Sequence, residues 1–249
     1  NASFYKKYRE PLLRRGAFPS VLRFSTTDEV LRIAAVAARA GEIPAPTAPP
    51  PLPQRPDVLV QVHETMIANF YRAMYAAQTV NQTEFAQQWE NSFGELPEGL
   101  QLKPGQEPWE ITFDAAEPVS VVLADDTVTI TVRGTSFRTL GNEPQNLPMN
   151  ITAVYRVEPG GSGLKLQRQG DLVVLPPDYR EGQVLDARQT TLRRRLMRQF
   201  ADVFQEELLA EGLKLPGRWE HLGVLPLQQL SARDGWLTLG WVLPASVAE

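Results

Sequence analysis

His63-Glu64 is the point in this chain where metal chemistry would begin. In the H-E-x-x-H pattern, two histidines one helical turn apart grip a zinc ion and the glutamate serves as general base. Position 67 is Ile67, so the second ligand is missing. The other histidine is His221, and a site built on both would need them to meet in space beside carboxylates; separate structural or surface roles are the simpler assignment. Asp125-Asp126 offers a carboxylate pair, but adjacent residues on a strand or turn point apart, whereas acid–base catalysis needs both aimed at one substrate. A hairpin turn accounts for them. Gly160-Gly161-Ser162-Gly163 is glycine-rich without a helix behind it, so no helix dipole is on hand to cradle a phosphate. Ser162 lacks the strand-to-helix switch of a nucleophile elbow. With zero cysteines, thiolate catalysis, Cys-ligated zinc and disulfides are excluded together. The inventory predicts no metal site, no cofactor and no enzymatic activity. Two carboxylates facing each other across a cleft, as glycosidases use, are the catalytic arrangement that spacing does not reveal.

The stretch best able to present a binding face is 185–212, LDARQTTLRRRLMRQFADVFQEELLAEG, which reads as one long amphipathic helix. Leu192, Leu196, Phe200, Val203 and Leu208 form its apolar stripe, widened by Met197, Phe204 and Leu209. Its charges oppose its dipole: Arg188, Arg193, Arg194, Arg195 and Arg198 come early, while Asp202, Glu206, Glu207 and Glu211 crowd the last turns. Acidic residues of neighbouring elements or an anionic partner must compensate. Arg193, Arg194, Arg195 and Arg198 are therefore the candidate anion contacts, against the commoner reading of a charge run as a solvated face. Phe70, Met74, Trp89, Met197, Phe200 and Phe204 offer adaptable sulfur- and aromatic-rich surface of the kind that lines apolar ligand sites, although such helix residues are more often core.

Around that helix, short elements dominate. Residues 1–20 are basic and aromatic, the mix of an extended arm. Residues 21–40 fit either a helix capped at Thr26-Thr27-Asp28-Glu29 or a hairpin of VLRF and VLRIAAV. Residues 44–56, PAPTAPPPLPQRP, are polyproline, extended and semi-rigid: a surface strut more readily than a ligand for a proline-recognising domain. Val58, Val60 and Val62 alternate as a strand that passes into a helix bearing Met66, Ile67, Phe70, Tyr71 and Met74. Asn81 and Glu84 form a capping pair for a second helix with Phe85, Trp89 and Phe93, stopped by Gly94. Period-two strands follow at Trp109, Ile111 and Phe113; at Val119, Val121 and Leu123; at Val128, Ile130 and Val132; and at Met149, Ile151, Ala153 and Tyr155. A return over 164–175 and a final pair, 219–230 and 236–243, around Asp234-Gly235 complete the pattern.

A net charge of −4 and a pI near 5.4 exclude a general nucleic-acid binder, which needs a basic footprint. No apolar run reaches the length of a membrane span. The start at Asn1 without a signal pattern reads as a mature product or, preferably, a piece of a longer protein. The division expected is an N-terminal segment 1–43 (arm or strand pair), a proline-rich linker 44–56 and a main α+β domain 57–249.

The strand-into-helix segment DVLVQVHETMIANFYRAM, followed by a meander, a long helix and a closing strand pair, resembles the tubular lipid-binding (TULIP) architecture over roughly residues 57 to 243. MNITAVYRV, RQGDLVVLPP and WEHLG resemble large proteins of planctomycete-type bacteria, a likeness that carries no activity with it. The first resemblance implies a curved antiparallel sheet around the long helix, with an apolar groove between them and no catalytic residues. The two short helices and the heavy proline usage depart from that pattern. The expectation is an α+β fold acting as a non-enzymatic binding module for a lipid or other apolar molecule. The alternatives are an interaction scaffold of a larger secreted or envelope protein, open to a protein partner or self-association, and last a carboxylate hydrolase. A periplasmic or extracellular setting is favoured over the cytoplasm.

Overall fold

The computed structural model describes residues 21–26, 31–36, 42–51, 56–93, 96, 100–102, 108–138, 145–160, 163–210, 212–215 and 217–243. They form a mixed α and β structure whose strand pairs are antiparallel, in two compact units interleaved along the chain.

One unit comprises residues 1–44, 65–119 and 133–149. Its β1 (Val21–Thr26) and β2 (Leu31–Val36) pair as a hairpin, the second of the two sequence readings for that stretch. Helix α1 (Glu64–Tyr75) lies almost wholly in this unit, and β4 (Thr79–Asn81) leads into α2 (Gln82–Phe93). The capping pair forms as its spacing predicts: Asn81 Oδ1 accepts the Glu84 N–H at 2.9 Å and Glu84 Oε2 accepts the Asn81 N–H at 3.3 Å. Strand β5 (Glu110–Phe113) lies between β4 and the second half of a long strand, β7 (Thr127–Arg138). Trp109, Ile111 and Phe113 turn inward, and Tyr75 stacks on Phe113 at 5.2 Å while Phe85 leans on Trp109 at 5.8 Å. Gly134 leaves room for this packing, since a Cβ there would run into the ring of Phe137 and the side chain of Ile111.

The other unit comprises residues 45–64, 120–132 and 150–249. Its β3 (Val58–His63) pairs with β15 (Trp236–Trp241), and β15 with β14 (Leu227–Arg233). Of the proline-rich stretch, Thr47, Pro50 and Pro56 lie against this sheet. Gln61 Nε2 donates to Pro50 O at 3.1 Å, and Trp236 Nε1 to Thr47 Oγ1 at 3.0 Å. Strand β6 (Val119–Ala124) turns through Asp125-Asp126 into β7, and β8 (Met149–Gly160), β9 (Gly163–Arg168), β10 (Val173–Leu175) and β11 (Glu207–Ala210) extend the pairing as β7–β8–β9–β11, with β10 also on β8. Helix α3 (Ala187–Phe200) contacts β10. Leu225, Leu227, Leu230 and Trp241 form a buried cluster, and β12 (Leu213–Lys214) pairs with β13 (Val224–Leu225). Gly217–Leu222 form a short 3₁₀ helix, so the strand read over 219–230 does not include its first four residues.

The main departure from the sequence reading is the length of α3. It ends at Phe200 rather than near residue 212, and Glu207–Ala210 pair along β9 with Leu208 opposite Leu166. A free edge of β9 gains backbone partners from a strand and none from a helix, which outweighs the helix propensity of Glu-Glu-Leu-Leu-Ala. The dipole conflict goes with it. Glu207 meets Lys165 at 2.6 Å and Glu206 meets Arg168 at 3.7 Å, both outside the helix. Asp186 caps the N-terminus with Gln189, and Arg198 occupies the last turn, where a cation is favoured. Among the described residues no helix is long and apolar enough to cross a membrane.

Candidate functional site

Helix α3 buries Leu192, Leu196 and Phe200 along one side. At 100° per residue, Arg194 and Arg198 fall opposite that stripe, and Arg193 and Arg195 on its two flanks. Arg188, Arg194 and Arg198 are exposed; Arg193 and Arg195 are half-buried. The helix contains no acidic residue. Among the described residues none of the five arginines forms an ion pair or a side-chain hydrogen bond, whereas Arg133, Arg138, Lys165, Arg168 and Arg233 each meet a carboxylate. Arg193 Nε and Arg195 Nη1 are shut off from water without an acceptor. A donor that has lost its water and found no partner is costly, and more so when charged. Five like charges within four turns also repel. Of the four arginines picked out by sequence, Arg194 and Arg198 therefore stand open to oxyanions that take guanidinium forks in pairs, while Arg193 and Arg195 flank them with part of each guanidinium group buried.

The six apolar candidates divide by unit. Phe70, Met74 and Trp89 are half-buried on α1 and α2, with Phe70 edge-on to Tyr71 at 5.6 Å and Trp89 tilted on Phe85 at 6.3 Å. Met197 is half-buried on α3, and Phe200 and Phe204 are buried in the core of the other unit, where the Phe204 N–H still donates to Phe200 O at 2.9 Å.

Two surface cavities are lined mostly by polar residues. One of about 470 Å³ is lined by Thr79, Thr112, Thr135, Ser136 and Asn146 with the Glu110–Arg138 ion pair. Its hydroxyls are partly engaged: Thr79 and Thr112 bond at 2.8 Å and Thr135 donates to Thr112 O. The other, of about 550 Å³, lies beside two tight turns, Asp125-Asp126 and Asp234-Gly235. All four turn residues have positive φ, the type I′ geometry that suits a hairpin's twist. Glu64 joins the turns: its N–H donates to Gly235 O, its carboxylate accepts the Leu123 N–H at 2.8 Å, and the Gly235 N–H donates to Leu123 O. His63 is buried beside Trp236, ring centres 5.0 Å apart, and burial lowers its pKa against the opposing pull of Glu64. The pair that opens like a zinc motif thus straddles a strand end and a helix start in a structural clasp. Asp126 is bound by Arg233 at 2.6 Å, and that hydrogen bond holds its carboxyl below the usual carboxylate range. Such a carboxylate is an ion-pair partner and a poor general acid. Nothing local in the sequence announces this pair, which spans 107 positions. The turn at 161–162, with Ser162, lies outside the described residues.

Sequence reasoning also passed over the outer surface of β1–β2. The register places Leu22, Phe24, Thr26, Leu31, Ile33 and Ala35 on one face, and Val21, Arg23, Ser25, Arg32 and Ala34 on the other. Phe24 is 64% exposed, Leu31 63%, Ile33 56% and Leu22 46%. The alternation of Leu22 and Phe24 against Arg23 was the available signal. No family model matches the chain, and no curated protein or solved structure matches it either.

Proposed function

We propose that this chain is a non-enzymatic binding module that docks on an anionic lipid surface, with Arg193, Arg194, Arg195 and Arg198 of α3 meeting the phosphates. The observation that carries this reading is a helix with five arginines, no acid, and no ion pair among the described residues, in a chain of net charge −4. The overall acidity argues against a nucleic acid as the anion. A lipid surface is preferred to an acidic protein because a headgroup layer presents phosphates in a dense array that several arginines of one helix can meet at once. This is the lipid-binding class that the tubular resemblance implies, engaged at a surface instead of an enclosed groove.

Co-sedimentation with vesicles of phosphatidylglycerol and phosphatidylcholine, against phosphatidylcholine alone, tests the proposal. The chain should sediment with the anionic vesicles only. Arg193→Gln, Arg194→Gln and Arg195→Gln together should release it with the fold intact, and added salt should mimic that loss. Equal sedimentation of wild type and triple variant at low salt would remove the arginines from the proposal. A protein that binds neither vesicle but self-associates would favour the scaffold reading.

A further inference from the structure

We infer that the β1–β2 hairpin is the element that enters the bilayer, its apolar face of Leu22, Phe24, Leu31 and Ile33 lying in the hydrocarbon boundary. The inference rests on the lipid-surface reading above and concerns the unit that holds the hairpin by itself. An isolated two-stranded hairpin is marginal in water, and this one holds four large apolar side chains in solvent on a single face. Something covers that face in the working protein, and size selects the occupant. Two six-residue strands present a face of roughly 20 Å by 10 Å, so pairing with a second copy would bury about 400 Å² in total, against the ~1,200 Å² at which stable protein interfaces begin. A bilayer imposes no such minimum, because an interfacial element buries one apolar face alone.

Charge selects the same occupant. Residues 1–41 carry eight Lys and Arg against three Asp and Glu, a local +5 within a chain of net −4. Arg23 and Arg32 stand on the face opposite the apolar one. A cationic segment is drawn to anionic headgroups, and its guanidinium groups stay at the wet side while the apolar face sinks.

The absence of cysteine permits labelling at one chosen site. Phe24→Cys and, separately, Arg23→Cys would carry a polarity-sensitive fluorophore and be mixed with phosphatidylglycerol–phosphatidylcholine vesicles containing a lipid-borne quencher. The expected result is a blue shift, a rise in emission and quenching by the lipid for the label at 24, with the label at 23 remaining in water. Leu22→Ser, Phe24→Ser and Ile33→Ser together, unlabelled and checked by circular dichroism, should lose sedimentation with the same vesicles. If the protein sediments while the label at 24 stays in water, this inference is overturned and the lipid-surface reading stands. If nothing sediments, both fall. If the label at 24 shifts without lipid as protein concentration rises, the occupant is a second copy and the inference is overturned.

Discussion

Gly235 shows how much one residue carries. Its φ of +80° is open to glycine and costly for any side chain, and a Cβ there would stand 2.7 Å from the buried Nε2 of His63. Gly170 has a similar φ of +71° with open space around it. Gly235→Ala should therefore cost about 1–3 kcal/mol and Gly170→Ala less, because only the first adds a clash to the backbone strain. Urea melts of the two variants at neutral pH read this directly. Equal midpoint shifts would mean that the His63 contact is relieved without cost.

At the scale of the element, α3 is stabilised by its buried side and its capping box and weakened by its own charge. Arg194 and Arg198 are like charges one turn apart, both exposed. Arg194→Glu places an acid N-terminal to Arg198 at that spacing, which exchanges a repulsion for an attraction of about 0.2–0.5 kcal/mol. The variant should be slightly more stable than wild type and weaker on anionic vesicles, the opposition expected where surface charge serves binding at some expense of stability. Thermal melts and sedimentation together check it; a variant that loses stability would show that Arg194 holds the helix in place. The extent of α3 also marks where sequence reading reached its limit. The Leu192, Leu196 and Phe200 stripe and the arginines beside it were legible from a 3.6-residue period. The end at Phe200 was not, since Leu208 and Leu209 fit a helix stripe as well as a strand, and only the edge of β9 decides between them.

For the whole molecule, two groups whose pKa values lie below their ordinary range set an acid limb of stability. His63, lowered by burial, and Asp126, lowered by its bond to Arg233, both have folded pKa values below their ordinary 6.5 and 3.8. The unfolded chain therefore takes up these protons first as pH falls. Their contributions are complete above 6.5 and 3.8 respectively, and each is lost as pH falls through the folded value. Urea midpoints should fall between pH 8 and pH 5, as the sign of this linkage requires, and His63→Gln should flatten that part of the curve. Parallel curves for wild type and variant would show that His63 makes no contribution there.

The same scale separates what is local in this protein from what is not. Alternation at Trp109, Ile111 and Phe113 and at Met149, Ile151, Ala153 and Tyr155, the Asn81–Glu84 cap, and the turns at Asp125-Asp126 and Asp234-Gly235 are all legible in the chain. Each depends on residues a few positions apart whose backbone preferences and hydrogen bonds close on themselves. The candidate arginines were legible too, by type and spacing. Their want of an ion-pair partner among the described residues was not, and neither were the Asp126–Arg233 pair, the clasp of His63 and Glu64 between two turns, or the interleaving of the two units. Those depend on which distant segments share a sheet edge, and strand pairing gains its energy from whatever backbone lies alongside, at any separation along the chain.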